Sequence, residues 1–320
     1  MTIIDQPILF GLTAVVLCAF GLFLLRRYAT NRWLRRIGSV SAGFLILASG
    51  SLVAWGVWMT SGDSSPAMEQ LAPNLTYERL AVGDSAVGHV VTIDLSDSCT
   101  ALITTELAPT GDVDALLTET WVEQQNAQLG MNASFFAPYY DDQPWDVYPK
   151  EGDSVRILGG SVVDGEARGM PRDWQGMWAG EYVFLDSNGV PGVAFDAPED
   201  AIWGVGGRER ILAEGEVVAS DSDPYPRSII GVDALSNTMW WLVVDGKQPG
   251  YSGGATLEQA AELLRRLGAT DALEMDGGGS SILVDGTNGE PEVLSRPVNQ
   301  AIPGRSRVVA NHVGVVDACN

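Results

Sequence analysis

The pattern of apolar and polar positions divides the chain into a short N-terminal part and a long C-terminal one. Two apolar runs without a charged residue, Ile8–Leu25 and Ile37–Met59, lie near the start. Each is long enough to cross the hydrocarbon core as a helix. Between them stand Arg26, Arg27, Arg32, Arg35 and Arg36, so the positive-inside rule puts this loop in the cytoplasm and both flanks outside. A cleaved signal peptide is the competing reading, but it calls for a basic segment ahead of the apolar run, and Met1–Pro7 carries only Asp5. The expected organisation is a transmembrane two-helix hairpin over residues 1–60, an extracytoplasmic linker over 61–75 rich in Ser, Gly, Asp and Pro, and one folded domain over 76–320.

Inside the domain the period changes. His89, Val91, Ile93 and Leu95 alternate as a strand does, and further short strands bounded by Gly or Asp-Gly turns are expected at Gly159–Asp164, Tyr182–Asp186 and Ile211–Val218. Ala115–Leu129 reads as a helix closed by Gly130. The clearest stretch is Met239–Leu283. MWWLVVD is an apolar run suited to a buried strand. Thr256 and Gln259 then form a capping box, Leu257, Ala260, Ala261, Leu264 and Leu267 make one apolar stripe, and Gly268 ends the helix. DALEMD follows as a second strand. A strand-helix-strand unit predicts parallel neighbours, with Asp245 and Asp276 at the carboxyl ends of both strands on one sheet edge, where ligands usually bind. The expected fold class is α+β, a mixed sheet domain behind the hairpin.

Composition adds limits. With 41 acidic residues against 19 basic ones and a formal net charge of -22, the chain lacks the basic stripe that a nucleic-acid partner requires. A phosphate-bearing ligand would have to be met by local positive groups. Cys18 falls in the first apolar run, leaving Cys99 and Cys319 as the only pair in the domain. An oxidising compartment permits their disulfide, and two buried thiols fit the sequence equally well. His89 and His312 are the only histidines, too few for a histidine metal site, and both read as scaffold.

The candidate chemistry gathers around the predicted sheet edge. Asp276 opens DGGGSS, where Gly277, Gly278, Gly279 and Ser280 can bring backbone N–H groups close to an anion; a glycine-rich turn is the plainer reading. Asp245 can be a turn-forming Asp-Gly, or it can pair with Asp276 as acid and base. The same carboxylates can instead hold calcium or magnesium. Asn132, in GMNASFF, can hydrogen-bond a sugar hydroxyl or orient a carboxylate. Arg227 and Arg307 can clamp phosphate, or serve as ion-pair partners in an acidic domain.

Taken together, GMNASFF, PRSIIGVD, the stretch from VVDG to DGGGSS, and SRVVAN resemble the phosphodiester glycosidase family over about residues 76–317. The resemblance implies a mixed α and β fold and cleavage between a sugar, N-acetylglucosamine in known members, and a phosphodiester. It points to Asn132, Asp245 and Asp276 as catalytic residues, and to Arg227, Gly277–Gly279, Ser280 and Arg307 as phosphate-binding ones. Glu274 departs from the family, where Asn is common at this position. The implied substrate is a glycosyl phosphate of envelope polysaccharide, the implied location the outer side of a cell membrane. A non-catalytic glycan-binding protein and a phosphodiesterase that cuts the P–O bond are the alternatives.

Overall fold

The computed structural model describes residues 47, 49–51, 53–54, 56–57, 62–108, 110–143, 146–169, 181–220 and 223–319. The chain divides into two compact units, Met1–Asp63 with Gln248–Tyr251, and Ser64–Lys247 with Ser252–Asn320. In the first unit the described residues between 47 and 57 are helical. The run Ile8–Leu25, the arginine loop and most of the second run lie outside the described residues. Among those described, no helix is long and apolar enough to cross a membrane.

The second unit is built from sheets. The largest has eight strands in the spatial order Ala67–Ala72, Leu75–Val82, Ala86–Asp94, Thr238–Val244, Arg227–Asp233, Asp271–Glu274, Arg210–Ala213, Glu216–Val217. A five-stranded sheet runs Glu292–Val293, Leu283–Asp285, Leu129–Asn132, His312–Asp317, Thr100–Thr104, and another runs Glu166–Gly169, Gly160–Val163, Ala201–Gly207, Glu181–Asp186, Pro191–Phe195. The main core lies between these sheets. Val91, Ile93, Met239 and Trp241 come from the first, Met131, Leu283, Val313 and Val315 from the second, and Val183, Trp203 and Val205 from the third. Alternate residues of the same eight-stranded sheet, including Val90, Leu242 and Val244, face the helix Leu257–Leu267 through Leu257, Ala260, Ala261 and Leu264. Burial on both faces is why MWWLVVD has no polar alternation.

The α+β expectation is therefore corrected to a mostly β architecture. Every ladder of the eight-stranded sheet is antiparallel. The strands Thr238–Val244 and Asp271–Glu274 are not neighbours, because Arg227–Asp233 lies between them and pairs with both. Arg227–Asp233 reaches Thr238 by a short hairpin turn in which Asn237 takes φ 51 and Asp233 accepts a 2.8 Å bond from the Ser236 N–H. The two outer strands thus run the same way, one strand apart, and still end on one edge.

The helix expected over Ala115–Leu129 is confined to Thr118–Gln125. Asn126 at φ 50 ends it, and the chain turns into the strand Leu129–Asn132. Gly130 belongs to that strand, where a Cβ would collide with Val122 of the helix; its lack of a side chain lets helix and sheet approach. The helix Leu257–Leu267 forms as its local signals indicate, with a capping box between Thr256 and Gln259 and Gly268 at φ 111. The segment expected to be a tether contributes the strand Ala67–Ala72, so the sheet begins earlier than residue 76.

Cys99 and Cys319 form a disulfide across a sequence separation of 220, tying the region before the edge strand Thr100–Thr104 to the residues after His312–Asp317. Closing so long a loop restricts the unfolded chain. Cys319→Ser is expected to lower the unfolding free energy by about 2–5 kcal/mol, measured by urea denaturation; an unchanged midpoint would show that the bond adds no stability. Thr256→Ala removes a capping bond of 3.1 Å to the Gln259 N–H and is expected to cost about 1 kcal/mol by the same assay.

Candidate active site

The sheet edge gathers the site. Arg227 is registered against Val244, and Ile229 against Glu274, so the start of one strand and the ends of its two neighbours meet there. Beside this edge Glu274, Asp276, Arg208, Arg227 and Arg307 line a cleft of about 390 Å³, together with the three glycines that follow Asp276. Phe135 and Tyr225 supply aromatic walls.

Glu274 is the buried anchor of the positive groups. Arg227 Nη1 donates to its Oε1 at 2.7 Å, and Arg208 Nη2 makes an ion-pair contact with its Oε2 at 2.7 Å. Burial pushes the Glu274 carboxyl above its ordinary value, and the two arginines oppose that shift. The Glu274 charge thus orders two guanidinium groups at the mouth of the site. Arg227 itself is buried, and its Nε and Nη2 also donate to the carbonyls of Ala255 and Asp223, at 3.3 and 2.9 Å. It shapes the field of the cleft more than it offers a clamp. Arg307 is differently committed. Its Nη1 makes a long 3.3 Å bond to Ser280 Oγ, its guanidinium lies 4.2 Å from the Tyr139 ring centroid, and its buried Nε has no hydrogen-bond partner.

Asp276 sits at the start of the glycine loop, partly buried. Desolvation pushes its carboxyl up to about 6, and the charge of Glu274 adds to the rise, against the hydrogen bonds of Ser280 and Gly277 and the attraction of Arg307. The sequence allowed the loop either to bring amides to an anion or to serve as a glycine-rich turn. Gly278 N–H donates to Pro226 at 2.8 Å, and the N–H groups of Ser280 and Ser281 donate to Gly277 and Gly278. The glycines are required by close approach: Gly278 has φ +66, and a Cβ on Gly279 would collide with the Arg307 guanidinium. These residues seat Asp276 and Arg307 against each other.

Asn132 and Asp245 do not line this cleft. The buried Asn132 amide donates to the Asp276 carbonyl at 2.6 Å, while its Oδ1 accepts from Ser228 Oγ at 2.7 Å and from the Ile282 N–H at 3.1 Å. It positions the loop from behind. Asp245 is buried with Oδ2 2.9 Å from His89 Nε2 and Oδ1 accepting from the Arg296 N–H at 2.8 Å. Tyr77 Oη lies 2.8 Å from the other ring nitrogen of His89. His312 is buried and stacked on Trp121, and burial lowers its pKa to about 3. Asp317 lies near Cys99 and Cys319, but the two sulfurs are bonded to each other and cannot act as thiolate ligands.

Residue-by-residue reading of the sequence missed Arg208, Tyr225 and Tyr139. Tyr225 stands two residues before Arg227 and packs under it and under Lys247, with Lys247 Nζ 2.5 Å from its hydroxyl. Proximity to the PRSIIG motif was the available signal. Arg208 follows the strand Ala201–Gly207 and reaches the cleft only through sheet pairing, which leaves no local mark.

A family model described as phosphodiester glycosidase matches residues 125–316. Two solved structures share the fold. A hypothetical protein from Synechocystis aligns at a TM-score of 0.54 and 16% identity, covering 80% of this chain and 64% of that one. The catalytic domain of zebrafish N-acetylglucosamine-1-phosphodiester alpha-N-acetylglucosaminidase, auto-inhibited by its pro-peptide, aligns at 0.53 and 16%, covering 80% of this chain and 86% of that one. Comparison with curated protein sequences gives no match. The family model takes in Asn132, Arg227, Asp245, the whole DGGGSS loop and Arg307 within one continuous match, and the chain belongs to the phosphodiester glycosidase family.

Proposed function

We propose that the domain hydrolyses a glycosyl phosphodiester, with water attacking the anomeric carbon. The supporting observation is the cleft itself. Three guanidinium groups, Arg208, Arg227 and Arg307, line one cleft with Asp223, Glu274 and Asp276 in a protein of net charge -22, and so local a gathering of positive groups against the average field suits an anionic ligand. In this reading Arg307 and Arg208 hold the phosphate, and Arg227 with Glu274 fixes their surroundings.

The chemistry needs one base. Water's oxygen bonds to the anomeric carbon, its proton passes to Asp276, and the carbon–oxygen bond to phosphate breaks with the electron pair leaving on the phosphate monoester. That leaving group is a weak base already neutralised by arginines, so a separate proton donor is dispensable. This assigns Asp276 the base role and gives Asp245 a structural one. A divalent cation is not part of the reading, since Arg307 faces Asp276 and both Asp245 oxygens are engaged. The Cys99–Cys319 disulfide supports a place outside the cytoplasm, where envelope polysaccharides or glycoconjugates offer glycosyl phosphates, N-acetylglucosaminyl ones among them.

The test is release of free sugar from a panel of sugar-1-phosphodiesters. The wild-type chain is expected to release sugar, and Asp276→Asn to slow the reaction by about 10²–10⁴-fold. Sugar binding without release by the wild type would favour the glycan-binding alternative. A base works deprotonated, so kcat/KM is expected to fall as pH drops through about 6 and to level off above it; a flat profile across that window would remove Asp276 from the role. A carboxyl whose folded pKa is raised stabilises the fold less as pH rises from its unfolded value through about 6. Asp276→Asn is therefore expected to raise the melting temperature at pH 8 while activity is lost.

A further inference from the structure

Folded proteins usually blunt their sheet edges with charge, proline, bulges or very short strands. Most edges of the three larger sheets follow that rule. Ala67–Ala72 carries Glu69 and breaks register between Gln70 and Ala72. Glu216–Val217 and Glu292–Val293 are two residues long, Glu166–Gly169 holds Glu166 and Arg168, and Pro191–Phe195 opens with proline. Thr100–Thr104 differs. Its sequence, TALIT, has no charge and no proline, and its register against His312–Asp317 is unbroken.

The outer side of this strand is a pairing face. In an antiparallel ladder alternate residues turn both backbone groups to the same neighbour. Thr105 N–H donates to the His312 carbonyl at 3.2 Å, and the Cys99 carbonyl accepts from the Ala318 N–H at 2.8 Å, so Cys99, Ala101, Ile103 and Thr105 bond inward. Leu102 and Thr104 therefore turn an N–H and a C=O outward, and no described strand pairs with that side. Thr100 N–H is taken by the Asp97 carbonyl at 3.0 Å, which closes that end.

The edge forms the floor of a groove of about 620 Å³. Val163, Leu185 and Ile202 of the neighbouring sheet supply an apolar wall, and Ile202 is 43% exposed in a strand otherwise buried. Glu106 and Asp164 also line the groove, and no Lys or Arg is among the described lining residues. Arg168 lies near Glu106 but is ion-paired with Glu166 at 2.8 Å. An open edge between an apolar wall and acidic groups suits an added strand whose side chains alternate, apolar to one side and basic to the other. A second copy of this chain would bring its own Glu106 and Asp164 to the same edge, where like charges repel.

We infer that this edge docks an extended, basic segment of another protein by strand addition. Main-chain bonds to Leu102 and Thr104 hold the segment, and Glu106 with Asp164 selects its charge. No residue lining the groove lines the cleft, and docking here is independent of the glycosidase reading.

The probe is a capped heptapeptide of alternating Lys and Val, KVKVKVK, titrated into the full chain by calorimetry. It is compared with the Glu and Val peptide of the same pattern, and with two Lys and Val peptides N-methylated along one edge or the other. The basic peptide is expected to bind at least about tenfold tighter than the acidic one, and methylation of one edge to weaken it at least about tenfold while methylation of the other is tolerated. Hydrogen exchange at Leu102 and Thr104 is expected to slow on binding. Leu102→Pro removes an outward donor at an edge position where the ladder loses no bond, and is expected to weaken binding by about tenfold or more. Should that variant misfold, the methylated peptides test pairing on the unaltered chain. Glu106→Lys combined with Asp164→Lys is expected to reverse the preference between basic and acidic peptides. No binding of the basic peptide, equal binding of the acidic one, equal binding of both methylated peptides, or unchanged exchange at Leu102 and Thr104 would each overturn the inference. A chain that self-associates without peptide and becomes monomeric with Leu102→Pro would overturn it in favour of a second copy.

Discussion

The site depends on the amide of Asn132. One buried side chain joins the end of a strand in a five-stranded sheet to Ser228 in the eight-stranded sheet and to the carbonyl of Asp276. Its oxygen also receives the Ile282 N–H as the loop leaves the site. The placing of the Asp276 loop follows from that clamp. Asp276 can be held in a desolvated position only if the loop behind it is fixed, and a buried amide with donor and acceptor both satisfied is well suited to fixing it. Substrate contact would disrupt that arrangement, and Asn132 accordingly lies outside the cleft lining.

Electrostatics then sets the division of labour between carboxylates. Glu274 is surrounded by Arg208 and Arg227 and serves as a counter-charge. Asp245 is engaged by His89 and by the Arg296 amide in a network that includes Tyr77. Asp276 combines a place in the cleft with a pKa raised to about 6, and unlike Glu274 it has no arginine ion pair. Burial costs a charged group, and near neutral pH the cost leaves Asp276 ionised yet basic enough to accept a proton. The same burial makes the residue a burden on the fold, a common feature of functional sites.

What the sequence discloses depends on how local the cause is. The helix Leu257–Leu267 was legible because its cap, stripe and terminal glycine all lie within its own span. The edge carrying Asp245 and Asp276 was legible for a related reason: both residues follow strands that run the same way. Strand order was not legible, since Arg227–Asp233 enters between those strands through a hairpin whose pairing partners are distant in sequence. That insertion also explains the wrong fold class, because a strand-helix-strand pattern with a strand inserted produces antiparallel ladders. Asp245 and Asp276 carry equal signals in sequence, each an aspartate before glycine at a strand end. Only their surroundings separate them, and His89, which engages Asp245, and Arg307, which acts on Asp276, come from remote parts of the chain.

The account stands on attack at the sugar carbon by water that Asp276 deprotonates. The most direct measurement is hydrolysis in water enriched with oxygen-18, followed by mass analysis of both products. The account requires the label in the anomeric hydroxyl of the released sugar and none in the phosphate monoester. Label in the phosphate would mean that the phosphorus–oxygen bond is the one broken, and the mechanism built on this cleft would be contradicted.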